Sequence, residues 1–94
     1  MNADRIRALA ELLDEAGDIH HRYFSDTDGV DDDWATFYSD WLLGHSRLPA
    51  ILARRPVRSH LTRDLVVCDE EYVRAAPPEQ WPAWYASRLI ERYG

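Results

Sequence analysis

Ninety-four residues with seventeen Asp and Glu, eleven Arg and a net charge of −6 make one acidic domain, residues 1–94. Hydrophobic residues at 46% and charged residues at 30% exclude a disordered chain, and the acidic total excludes a general nucleic-acid binder. The charge is uneven: residues 1–47 hold eleven acidic residues against four Arg, a balance of −7, and residues 48–94 hold six against seven, a balance of +1.

Every basic residue other than His is Arg, as a GC-rich coding sequence produces; selection for bidentate pairing with carboxylate or phosphate is the functional alternative. The single cysteine, Cys68, cannot close an intrachain disulfide, so a reducing compartment is expected. Charges at Asp4, Arg5 and Arg7 come too early for a secretory apolar region, and no stretch is long enough to span a bilayer. The expectation is a cytoplasmic protein without membrane contact.

The spacing of Ile6, Leu9, Leu13, Ala16, His20 and Tyr23 predicts an amphipathic helix over about residues 3–24. Leu12, Ile19 and Phe24 widen its stripe. Asn2 or Ala3 stands at the cap position, Asp4 complements the dipole, and Gly17 is a weak point worth about 1 kcal/mol against Ala. A turn follows from Ser25 to Asp31, punctuated by Gly29. Asp31, Asp32 and Asp33 then offer a cap for a helix with Trp34, Phe37, Tyr38, Trp41 and Leu42 on one face and Gly44 as its stop.

Ser46 is positioned to cap a short helix through Ala53, with Pro49 in its first turn and Arg54-Arg55-Pro56 as its end. Ser59 is the expected cap of a fourth helix facing inward with Leu61, Leu65, Cys68 and Tyr72. Val66 and Val67 are strand-formers inside that helical period, and a lone strand would have nothing to pair with. Ala75-Ala76-Pro77-Pro78 separates it from a last helix carrying Trp81, Trp84, Tyr85 and Leu89, with Pro82 in its first turn. The predicted fold is an all-α bundle of four main helices plus one short helix. Its expected core holds Leu9, Leu13, Trp34, Tyr38, Leu42, Leu61, Leu65, Trp84, Tyr85 and Leu89.

Residues 34–43 align with residues 81–90 at an offset of 47, with Trp, Tyr and Leu identical at three positions. Leu13, Gly17, His20 and Phe24 fall against Leu61, Leu65, Cys68 and Tyr72 at an offset of 48. Two repeated helical hairpins, residues 3–45 and 58–93, would give this pattern, as would two unrelated aromatic-rich amphipathic helices.

Four groups of residues carry candidate chemistry. His20 and His21 are adjacent, so on a helix they point about 100° apart and chelate one ion poorly. A ligand role for His20 needs a carboxylate from a neighbouring helix, such as Asp40 or Asp64; a hydrogen-bonded core histidine is the plainer reading. No Glu-x-x-His signature is present, since Glu15 and Asp18 stand five and two residues before His20. The acidic loop places Asp26 and Asp28 before Gly29 as a calcium loop does, but Phe24 takes the first ligand position and Ala35 the place of the bidentate Glu. His20, His21, Asp26 and Asp28 are therefore the candidates for a metal, and no metal or other cofactor is expected.

Arg47, Arg54, Arg55 and Arg58, with Arg63, His45 and His60 nearby, form a basic stretch suited to an acidic partner, phosphate or the acidic loop of another copy. Cys68 lies on an apolar face, where thiols are usually inert packing. No Gly-rich phosphate loop, paired-Cys motif or nucleophile elbow occurs, and no catalytic residue is assigned.

Leu12-Leu13-Asp14-Glu15-Ala16, His20-His21-Arg22-Tyr23, Gly29-Val30 and Asp32-Asp33-Trp34-Ala35-Thr36-Phe37-Tyr38 resemble the pattern of a group of short uncharacterised bacterial helical proteins. That pattern reads Leu-Leu-x-Glu-Ala, a His near Tyr-Glu, Gly-Val, and Asp-x-Trp-x-x-Trp-Tyr-Ala. Here Phe24 replaces the Glu and Phe37 the second Trp. The resemblance covers the first half of the chain and implies a bacterial helical protein with no activity to carry over. The functional expectation is a small non-enzymatic interaction or regulatory module that self-associates or binds a protein partner. The alternative is a metal- or small-ligand-binding protein using His20 or His21 with inter-helix carboxylates. A weaker third is an acidic mimic of nucleic acid.

Overall fold

The computed structural model describes residues 2–27 and 31–94. Its helices are α1 (Asn2–Tyr23), α2 (Trp34–His45), the four-residue α3 (Leu48–Ile51), α4 (Arg58–Ala75) and α5 (Trp81–Tyr93), with a 3-10 turn at Ser25–Thr27. Val66 and Val67 lie inside α4, and the described residues contain no strand.

The four long helices form a square. α1 and α4 each pack on both α2 and α5, while the diagonal pairs α1/α4 and α2/α5 do not meet backbone to backbone. Neighbours run antiparallel. Arg5 reaches the carbonyl of Gly94 at the end of α5, and Gly17 faces Trp81 at its start. Asp40 pairs with Arg58 and Ser39 with Thr62, the middle of α2 against the start of α4, while Trp34 at the start of α2 shares a cleft with Val73 late in α4. Tyr72 meets Trp84 late in α4, and Asp64 meets Arg92 late in α5.

The leucines of the predicted stripes are buried, but Tyr23 is 75% exposed, and α2 buries Ala35 and Ser39 beside Leu42, which leaves Trp34, Phe37, Tyr38 and Trp41 half-buried. Leu9, Leu13, Leu42, Leu61, Leu65, Tyr85 and Leu89 are core, each worth roughly 1.5–3 kcal/mol for an aliphatic or aromatic side chain removed from water. Trp34, Tyr38 and Trp84 are only partly buried and pack against that core instead of lying within it. The α5 stripe continues beyond Leu89 through Ile90 and Tyr93, and Leu48 and Leu52 plug the end of the bundle from the short connector. Gly17 is more than a weak point. A Cβ there would stand 3.3 Å from Trp81 Cζ2 and 3.4 Å from the Tyr38 hydroxyl, so the bare backbone lets two rings lie on α1.

Helix ends depart from the sequence reading in several places; Asn2 and Ala3, expected at the cap, already lie inside α1. α4 starts at Arg58 with Val57 as its cap residue, because the Leu61 N–H already reaches the Val57 carbonyl at 2.9 Å; Ser59 is inside the first turn. α2 runs past Gly44 to His45. Asp33 occupies the cap position of α2 but accepts the Thr36 hydroxyl at 2.9 Å rather than a backbone N–H through its side chain. α3 ends at Ile51, short of Ala53. Arg47, not Ser46, holds the cap position of α3; Ser46 closes α2, its hydroxyl donating to the Leu42 carbonyl at 2.6 Å and accepting the Leu48 N–H at 3.1 Å.

The connector also docks on the chain's last turn. The N–H groups of Ala53 and Arg54 donate to the carbonyls of Gly94 and Tyr93 at 3.3 and 3.2 Å, and Arg5 Nε donates to the Ile51 carbonyl at 2.9 Å. At the same end, Asp64 is 2% exposed and holds α4 to α5. It accepts the Tyr93 hydroxyl and Arg92 Nη1, the latter at 2.8 Å, with Arg63 at 3.6 Å. A carboxylate this deep needs those donors.

Burial, with the hydrogen bond to Asp64 adding to it, pushes the Tyr93 hydroxyl from 10.0 up to about 12. The folded state thus keeps a proton that the unfolded chain releases. This contribution is complete below pH 10 and is lost as pH rises through about 12. Tyr93→Phe is expected to lower stability by about 1–2 kcal/mol at neutral pH. Urea melts across the alkaline range should show stability falling with pH less steeply in the variant than in the parent chain; equal slopes would refute the assignment.

Candidate functional site

His20 sits in the last turn of α1, 7% exposed, where the helix stripe turns it toward α2. Its Nε2 donates to Asp31 Oδ2 at 3.0 Å. The ring stacks on Phe24 at 4.7 Å between centroids and meets the edges or tilted faces of Phe37 and Tyr38 at 5.0 and 5.4 Å. Asp31 in turn accepts the Asp33 N–H on Oδ1 at 3.0 Å, which fixes the approach to α2. The carboxylate facing His20 therefore comes from the acidic loop and from neither helix residue expected. Asp40 pairs with Arg58 at 3.3 Å, and Asp64 is held by Arg92 and Tyr93. Asp31 escaped the sequence reading because it was spent as a helix cap.

His21 is exposed on the other side of α1, as the 100° step between neighbours requires. Asp26 is exposed in the 3-10 turn, and Asp28 lies outside the described residues. Among the described residues, no three His, Cys, Asp or Glu side chains converge as metal ligands do.

The four arginines of the basic stretch go to different places. Arg47 lines a cleft with Glu11 and Glu15 between α1 and α2. Arg54 donates to the Arg92 carbonyl at the end of α5. Arg55 and Arg58 line a hollow beside Asp40, where Arg58 is paired.

Cys68 is 3% exposed at the edge of a cleft of about 360 Å³ between α4 and α5, with Asp64, Glu71, Arg88 and Arg92 around it. Burial pushes its thiol up to about 11, with Glu71 and Asp64 adding and Arg88 and Arg92 opposing. It is a thiol, not a thiolate, at neutral pH, which is the wrong state for a nucleophile.

Two aromatic surfaces remain. Between α1 and α2, Ile19, Tyr23, Phe37 and Trp41 line an open cleft of about 500 Å³ beside Asp40 and His45, and Tyr23 is 75% exposed. Between α2, α4 and α5, Trp34, Tyr38, Tyr72, Trp81 and Tyr85 line a second cleft of about 320 Å³ with the carboxylate of Asp69 among them. The Tyr85 hydroxyl donates to Asp69 Oδ1 at 3.0 Å, and burial with that carboxylate pushes Tyr85 up from 10.0. Sequence analysis assigned most of these rings to the core. The available signal was the doubled Trp-x-x-x-Tyr spacing of Trp34–Tyr38 and Trp81–Tyr85, which puts more rings at one end of the bundle than its interior can enclose.

A double-mutant cycle over His20→Ala and Asp31→Ala is expected to show each single change costing about 1–3 kcal/mol and a coupling of at least about 0.5 kcal/mol. Additive losses would separate the two residues. Iodoacetamide at pH 8 should leave Cys68 unmodified in the native protein and alkylate it in urea; native labelling at the unfolded rate would contradict its burial. No family model matches the chain, and no curated protein or solved structure matches it either.

Proposed function

We propose that this chain is a small non-enzymatic interaction module whose contact surface is the cleft between α1 and α2. The observation that carries this reading is Tyr23, a large aromatic ring 75% exposed beside the half-buried Ile19, Phe37 and Trp41. An apolar surface with an exposed tyrosine and a polar rim has the composition of a protein interface. Asp18 and Asp26 lie exposed on the same hairpin with no ion pair among the described residues, so the fitting partner is a protein whose apolar patch is rimmed by basic groups. Arg55 of a second copy is one such group.

The two groups best suited to chemistry support a binding role over catalysis. Cys68 is held protonated, and His20 is engaged by Asp31 and three rings. The alternative of a metal or small-ligand site on His20 and His21 draws less support, since one imidazole is enclosed and the other points away. A cytoplasmic location belongs to the same proposal, because a lone buried thiol suits reducing surroundings. No helix among the described residues is long and apolar enough to cross a membrane.

Light scattering and affinity capture at low salt test the reading. The expected result is self-association or a retained protein partner, lost in Tyr23→Glu, a surface change that leaves the helix content intact. A strict monomer that retains nothing, or retention unchanged in Tyr23→Glu, would overturn it.

A further inference from the structure

The second aromatic cleft has a different chemistry. Its rings form a connected chain of near-perpendicular contacts. Trp34 meets Tyr38 at 5.7 Å and 90°, Tyr38 meets Trp81 at 6.0 Å and 66°, and Trp81 meets Tyr85 at 5.0 Å and 69°. Tyr72 closes on Tyr85 at 6.4 Å and 72°. Such contacts set the edge of one ring against the face of the next. The faces carry the negative end of the ring quadrupole.

Asp69 supplies a full negative charge at the same wall. It accepts one hydrogen bond, from Tyr85, and has no ion pair among the described residues. Arg88 lies over Trp84 at 3.9 Å from the ring centroid, outside this cleft, so the helix that lines the cleft already uses an aromatic face to hold a cation. The net charge of −6 favours the approach of cations to the whole molecule.

We propose that the cleft formed by Trp34, Tyr38, Tyr72, Trp81 and Tyr85 with Asp69 binds a small molecule bearing an alkylated ammonium group. A volume of about 320 Å³ suits a small ligand. Alkylation suits the walls: an unsubstituted ammonium brings three N–H donors that need acceptors, and the cleft offers one carboxylate already shared with Tyr85. A quaternary ammonium brings charge and methyl groups without donors, which ring faces and a nearby carboxylate can satisfy together. This site is separate from the α1/α2 cleft and does not depend on the interaction reading.

Titration of the folded chain with choline, followed by the indole N–H signals of its four tryptophans, tests this. The expected result is a saturable shift of the Trp34 and Trp81 signals at about millimolar concentration or below, with those of Trp41 and Trp84 moving less. The neutral carbon isostere 3,3-dimethylbutan-1-ol, of the same shape, should bind at least about tenfold more weakly. Asp69→Asn should weaken choline about fivefold or more and leave the isostere unchanged. Absence of a saturable shift, or equal binding of choline and its isostere, would overturn the proposal. That wild-type comparison decides the matter even if Asp69→Asn does not fold.

Discussion

Tyr38 and Trp81 touch across the diagonal of the bundle, joining two helices whose backbones do not meet. Four helices arranged in a square leave a gap along that diagonal wherever side chains are small. At the opposite end the gap is filled by leucines from the connector and by Tyr93. At this end it falls to indole and phenol rings, which bury large areas but do not fill the space between α2, α4 and α5. The rings pack edge to face and remain partly wet. The half-exposure of Trp34, Tyr38 and Trp81, and the cleft between them, follow from that one geometric demand.

Two buried polar contacts sit toward opposite ends of the square and do a different job from the leucines. His20 and Asp31 tie the end of α1 to the approach of α2; Asp64 ties the middle of α4 to the last turn of α5. Each replaces hydration that burial removed, so the net gain in stability is small, but loss of either partner leaves a charged or polar group stranded. Such contacts select one helix register among several that apolar stripes alone would tolerate. An up-and-down bundle with leucine faces on four helices can slide; one with an aspartate that must meet a specific tyrosine cannot.

Helical periodicity made the helices and most of the core legible, because a 3.6-residue stripe of Leu and aromatic residues is a local property. Helix ends were less so. Ser59 looked like a cap from residue type alone, whereas the backbone of Val57 had already begun the helix. The site was least legible. His20 was placed on the inner face correctly, but its partner depended on how the loop before α2 folds back, which no spacing rule specifies. Asp64 read as a carboxylate for His20 and Asp69 as an ordinary acidic residue, and only the arrival of α5 turns one into a buried acceptor and the other into the wall of a cleft. The doubled Trp–Tyr spacing hinted at the ring cluster without showing that it stays open. Exchange of the two hairpins maps the neighbour contacts of the bundle onto one another, as it would in any up-and-down square.

Gly17 has a consequence that reaches beyond helix propensity. It belongs to α1, which contributes no side chain to the walls of the ring-lined cleft, yet its missing Cβ is where Trp81 and the Tyr38 hydroxyl come to rest. The depth of that cleft is thus set from behind, like the travel of a bolt set by its stop. Variation at one position of the supporting helix can widen or shallow the cavity while leaving every wall residue in place, which gives the bundle a way to change what it accommodates without rebuilding the surface that does the accommodating.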